Sequence, residues 1–168
     1  MTSQRTLAQM AFVGVLALCG RAFEARGEEF EIAPDRLPRA VLNAAKAKFP
    51  GAAIRGASRE TEDGKTVFEV EMKHDGRNTD AIFQEDGALV LVEAAVAVEA
   101  LPEPVKTALN AKYPGAKIRV VESVRKGPQL KAEADFYEAH LTTADKKSVE
   151  VQVNPQGKIL NTETNDGD

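Results

Sequence analysis

A phrase spoken twice constrains this 168-residue chain more than anything else in it. Leu37-Pro38-Arg39-Ala40-Val41 leads to Ala47-Lys48-Phe49-Pro50-Gly51-Ala52-Ala53-Ile54-Arg55. Leu101-Pro102-Glu103-Pro104-Val105 leads to Ala111-Lys112-Tyr113-Pro114-Gly115-Ala116-Lys117-Ile118-Arg119 with the same spacing and no gap. An internal repeat of this length sets the architecture before single residues are considered. A unit of about 65 residues buries only about 60% of its unfolded surface. The two copies are therefore expected to lean on each other or to share a sheet edge. With seven Phe, two Tyr and no Trp, the core falls to Val, Ile, Leu and Ala.

Within each copy the punctuation predicts a helix followed by strands. Pro38 and Pro102 suit a helix start, where a missing N–H costs nothing. Leu37, Val41, Ala44, Ala45 and Lys48 fall at helical spacing, as do Leu101, Val105, Ala108, Leu109 and Lys112. Each set is one apolar stripe ending in a lysine. Phe49-Pro50-Gly51 and Tyr113-Pro114-Gly115 stop the helices, since a residue before Pro leaves the α region and Gly accepts a left-handed turn. Strands follow at 53–60, 67–72, 79–84 and 88–92, with Phe68, Val70 and Met72 inward and Glu69 and Glu71 outward. The second copy places strands at 118–124, 136–141, 148–153 and 158–161. A short strand at 30–32 precedes the first copy. The fold expected is α+β: two tandem repeats, residues 30–98 and 99–162, each a helix packed on an antiparallel sheet of about four strands. Residues 163–168 are expected to form a disordered acidic tail.

The N-terminus reads as an address. Arg5 precedes an uncharged run from Thr6 to Gly20, and Gly20-Arg21-Ala22 offers small residues flanking a cut, so residues 1–22 are expected to be a signal peptide. The uncharged run is shorter than the ~18 residues of a membrane span, and none is expected after cleavage. Cys19, the only cysteine, lies in Leu16-Ala17-Leu18-Cys19. Bulky Leu18 disfavours lipid attachment there, and the mature protein would hold no disulfide. A periplasmic or secreted location follows.

Charge and motifs exclude more than they assign. Residues 1–22 carry Arg5 and Arg21 and no acid, so their removal takes the formal charge from −4 to −6. An acidic chain without a basic cluster lacks the footprint of a nucleic-acid binder. There is no Gly-x-Ser-x-Gly, P-loop, dinucleotide fingerprint, Cys-x-x-Cys or His-Glu-x-x-His, so neither an enzyme nor a cofactor is expected. His74 and His140 read as solvated surface residues, one in a turn and one on an outward strand face. Two surfaces remain. The loop Arg125-Lys126-Gly127-Pro128-Gln129-Leu130-Lys131 is where the copies differ, and its Arg125, Lys126 and Lys131 are the candidate binding residues. Glu69, Glu71 and Asp80, with Glu138, His140 and Glu150 in the second copy, form acidic faces on adjacent strands. Carboxylates so placed suit a hard cation or, as a pair, glycoside hydrolysis, although strand alternation alone accounts for them.

Leu-Pro-x-x-Val, then Lys-x-Pro-Gly-Ala, then Phe68-Glu69-Val70 or Tyr137-Glu138-Ala139, then Asp86-Gly87-Ala88-Leu89 or Gln156-Gly157-Lys158-Ile159, resembles the PepSY-like domain family. The resemblance covers nearly all of the chain after residue 30. It implies a helix laid across an antiparallel sheet, with a tandem pair similar in architecture to β-lactamase-inhibitory protein. It further implies an exported, non-enzymatic protein that binds another exported protein, as an inhibitor or regulator of a hydrolase or peptidase. A small-ligand or cation-binding envelope module using Glu69, Glu71 and Asp80 is the alternative. The family offers no catalytic residue to transfer.

Overall fold

In the computed structural model of the chain, which describes residues 30–62 and 64–165, proline and glycine bracket each helix as the punctuation predicts. Helix α1 spans Arg39–Lys48 behind Pro38 (φ −52°), and α2 spans Glu103–Lys112 behind Pro102 (φ −54°). A single 3-10 turn precedes each, at Pro34–Arg36 and Val98–Ala100. Phe49 and Tyr113 close the helices by donating their backbone N–H to the carbonyls of Ala45 and Leu109, each at 2.9 Å. Gly51 and Gly115 then turn the chain at φ 79° and 75°.

The strands are β1 (Phe30–Ile32), β2 (Ala53–Glu62), β3 (Lys65–His74), β4 (Arg77–Gln84), β5 (Leu89–Ala95), β6 (Lys117–Lys126), β7 (Phe136–Thr142), β8 (Ser148–Val153) and β9 (Ile159–Asn165). Each pairs antiparallel with its neighbour in sequence, giving one nine-stranded sheet in the order β1 to β9. Asp75 (φ 48°) and Gly76 (φ 77°) make the two-residue hairpin between β3 and β4, a geometry that needs both residues at positive φ. Gly87 and Gly157 meet a double demand. Both sit at positive φ, and a Cβ on either would lie 2.7 or 2.6 Å from a carbonyl oxygen of the adjacent helix, that of Ala40 or Pro104. The turns after β4 and β8 are thereby pressed against the first turns of α1 and α2.

This overturns the expected fold class. The protein is not α+β in the form of two helix-plus-sheet repeats of about four strands each. It is dominated by a single sheet, on which the two ten-residue helices lie. The cause is the ladder between β5 and β6, from Leu91 opposite Lys126 to Ala95 opposite Glu122. Left apart, β5 and β6 would each present a row of unpaired N–H and C=O groups, and pairing them removes two edges at once. The tail expectation also changes, because β9 runs on to Asn165 with Glu163 opposite Glu150. Residues 166–168, the segment 1–22 and Cys19 lie outside the described residues.

Both helices lie on the same side of the sheet. Val41, Ala45 and Phe49 pack with Phe68, Val70 and Phe83 in one core, and Val105 and Leu109 pack with Val121, Leu141 and Val151 in a second. A third apolar cluster, Val67, Ile82, Leu91, Val124 and Phe136, occupies the opposite face. Bulges interrupt the ladders at Ile54/Gly56, Ile82/Phe83, Ile118/Val120 and Gln152/Val153. They fall at matching places in the two halves, and each adds local bend and twist. Among the described residues, the exposed large apolar side chains are Phe30 on β1 and Leu160 on β9, at 51% and 49%.

Candidate functional site on the helix-free sheet face

Side chains alternate along a strand, so the register fixes which acids share the helix-free face. Glu71 of β3 stands opposite Asp80 of β4, which stands opposite Glu93 of β5. Glu122 of β6 stands opposite Glu138 of β7, and Glu138 opposite Gln152 of β8. In the adjoining row His140 faces Glu150, and Glu150 faces Glu163. Glu69 of β3 belongs to the same face, opposite Ser58 of β2.

The expectation that these acids point into solvent is corrected by their burial. Glu69 is 4% exposed, Glu93 1%, Glu138 2% and Glu150 2%. Asp80 is half-buried, and Glu71 alone of the singled-out acids is exposed. Buried carboxylates need donors or must keep their protons. Ser58 Oγ lies 3.4 Å from Glu69 Oε2 and 3.3 Å from Glu60 Oε1. Gln152 Nε2 donates to Glu138 Oε2 at 3.2 Å, and His140 Nε2 lies 3.5 Å from Glu138 Oε1. Neither carboxylate oxygen of Glu93 has a hydrogen-bond partner among the described residues.

The electrostatics follow the crowding. Desolvation, reinforced by Glu138, Glu122, Glu69 and Asp80, pushes the Glu93 carboxyl up to about 10. Desolvation with Glu122 and Glu71 raises Asp80 to about 7. Glu122 is raised by desolvation and by Glu138, with His140 opposing. His140 is raised chiefly by its hydrogen bond to Glu138, so the imidazole expected to be a solvated surface group is half-buried and paired. His74 ends β3 and meets the Phe49 ring edge-on, with centroids 5.5 Å apart.

The basic loop begins later than expected, because β6 extends to Lys126. Arg125 pairs with Val92 and takes the helix side, while Lys126 takes the other face, its Nζ 5.4 Å from the centre of the Phe136 ring. Lys131 Nζ lies 2.6 Å from Asp135 Oδ1. The structure therefore does not bring Arg125, Lys126 and Lys131 together. Instead the loop is strapped to the first half of the sheet. Gly127 donates its N–H to the carbonyl of Val90 at 2.6 Å, Lys48 Nζ donates to the carbonyl of Pro128 at 2.8 Å, and Leu130 packs against the first core. Glu69, Glu71 and Asp80 do share one face, with Glu71 and Asp80 directly opposed. Sequence inspection passed over Glu93 and Glu122. Their signal was the alternation Leu91-Val92-Glu93 and Glu122-Ser123-Val124, which puts both acids on the face shared with Glu138.

The sheet thus carries its helices on one face and polar and acidic groups across the other. Residues 68–161 match the family described as "Putative beta-lactamase-inhibitor-like, PepSY-like". Residues 39–82 match the family described as "Peptidase propeptide and YPEB domain". The first match spans more than half of the chain, and the protein belongs to the PepSY-like family. No curated protein matches it. Among solved structures it is similar to a DUF2874 family protein from Bacteroides uniformis, with 19% identity and a TM-score of 0.61 over 76% of this chain and 88% of that one. It is similar also to a protein of Bacteroides eggerthii described as "putative periplasmic proteins" (18%, TM-score 0.62, 76% and 88%). A BLIP-like protein of Bacteroides fragilis aligns comparably (19%, TM-score 0.59, 77% and 88%). At these identities the likeness is one of fold. No helix among the described residues is long and apolar enough to cross a membrane.

Proposed function

We propose that this protein is an exported, non-catalytic binding protein whose working surface is the helix-free face of the sheet. One observation carries the reading: both described helices lie on one side, and among the described residues no helix lies on the other side of the nine strands. The accessible groups of that face are polar and acidic, with Glu71 exposed and Asp80, Glu122 and His140 half-buried, above the buried cluster of Val67, Ile82, Leu91, Val124 and Phe136. Such a negative face favours a partner with basic side chains and speeds its encounter. The descriptions of the matched families and of the structural neighbours support an exported hydrolase as the class of partner and the periplasm as the location. Inhibition would be steric, by covering the partner's site.

The test is chemical cross-linking in the native host's envelope, followed by affinity measurement with the captured protein after purification. Glu71→Lys, an exposed change on the face, is expected to weaken binding tenfold or more, and increasingly so at low salt. Arg125→Ala/Lys126→Ala/Lys131→Ala is expected to leave affinity unchanged. The opposite pattern would move the surface to the loop.

A further inference from the structure

We propose that Glu122, Glu138 and His140, with the buried carboxyl of Glu93 on the neighbouring strand, bind one divalent transition-metal ion, for which Zn²⁺ is the probe. The site goes beyond partner binding and stands or fails separately from it. Its framework is rigid, since Glu122 and Glu138 face each other across the β6–β7 ladder and His140 follows Glu138 by two residues on the same face. One ligand atom from each of these three lies within 4.8 Å of the others. Drawing such atoms onto a common ion at roughly 2.0–2.2 Å needs a movement of less than about an ångström per atom.

Glu93 supplies the independent indication. It is 1% exposed, neither of its oxygens has a hydrogen-bond partner among the described residues, and the β5–β6 register puts it on the same face as Glu122, diagonally across the ladder. A buried carboxylate without a donor is costly, and a cation among its neighbours removes that cost. No lysine or arginine among the described residues comes within ion-pairing distance of Glu93, Glu122 or Glu138; His140 is the one basic group that does. Gln152, donating to the second oxygen of Glu138, holds that carboxylate in place as an outer partner of a metal ligand does.

The first half of the sheet sharpens the contrast. At the matching register positions Ser58 faces Glu69 and Glu71 faces Asp80, where the second half has Glu122 facing Glu138 and His140 facing Glu150. In the first half a hydroxyl stands beside the buried carboxylate. In the second, carboxylate meets carboxylate with an imidazole alongside. One imidazole with carboxylate oxygens suits Zn²⁺ or Mn²⁺, whereas Ca²⁺ seeks six to eight oxygens.

Full-length protein, stripped with EDTA and dialysed, would be titrated with Zn²⁺, Mn²⁺ and Ca²⁺ by calorimetry. The expected result is one equivalent of Zn²⁺, at least tenfold tighter than Ca²⁺, with the His140 ring nitrogens shifted in ¹⁵N spectra. Glu122→Gln and His140→Gln should each weaken Zn²⁺ tenfold or more, while His74→Gln should not. Glu122→Gln relieves a repulsion and keeps the fold, so it decides the matter if His140→Gln unfolds. Absence of saturable binding, Ca²⁺ tighter than Zn²⁺, or one equivalent of Zn²⁺ undiminished by Glu122→Gln would overturn the site.

Discussion

Leu109 and Ala45 occupy the same position of the two helices, and both are buried. Leu109→Ala should destabilise the protein by roughly 2–5 kcal/mol, the range for a truncated core leucine, read as a lower denaturant midpoint. Ala45→Gly should cost only about 1 kcal/mol, most of it helix propensity. Asp80 makes a prediction of a different kind. Glu71 of β3, Glu93 of β5 and Glu122 of β6 surround it, and its pKa rises from 3.8 to about 7. A carboxyl with a raised folded pKa holds its proton after the unfolded chain has released one. Its contribution is therefore complete below about pH 4 and is lost as pH rises through 7. In metal-free protein the denaturant midpoint should fall between pH 5 and pH 8. Asp80→Asn should flatten that fall and gain on the order of 2 kcal/mol at pH 8. A midpoint that climbs over this interval would contradict the burial of these acids. At this scale the sequence showed which residues alternate but not how deep they lie. Alternation assigned Glu69 and Glu138 to a face, whereas their burial depends on strands far away in the chain.

Elements were legible where local chemistry determines them. Helix stops at Phe49-Pro50-Gly51 and Tyr113-Pro114-Gly115 and the alternation of β3 rest on backbone preferences of a few adjacent residues. The segment 125–131 was not legible. Arg125 and Lys126 resemble a basic loop, yet they complete β6 because the edge of β5 is there to receive them. Neighbours on a strand point to opposite faces, so a cluster in the sequence became two separated charges. The inserted segment also makes contacts that bridge the two halves. Gly127 passes so close to β5 that an added Cβ would lie 2.3 Å from the Leu89 carbonyl oxygen. Gly127→Ala should force β5 and β6 apart locally and cost on the order of 2 kcal/mol, the scale of an overpacked site. Lys48→Ala, which removes an exposed bond to the Pro128 carbonyl, should cost well under about 1 kcal/mol. Thermal melts of the two variants would rank them, and equal shifts would show that the strap is slack.

For the molecule as a whole, the unbroken ladder from β1 to β9 makes the halves one cooperative body. Calorimetry and circular dichroism should report a single coincident unfolding transition, and two separated transitions would show that the β5–β6 ladder is too weak to couple them. The repeated phrase could not reveal this, because edge pairing is made by backbone groups that every residue possesses. A meander of consecutive strands also leaves two unlike ends. On one end stands β1, three residues long and carrying exposed Phe30; on the other stands β9, carrying exposed Leu160. Two molecules meeting β9 to β1 would bury an apolar side chain from each and still leave a free β1 and a free β9. Such an association is head-to-tail, closing into a ring only where the rotation between neighbours closes and otherwise staying open-ended. It grows by addition, and its brakes are the brevity of β1 and the polar run Asn161-Thr162-Glu163-Thr164 along β9.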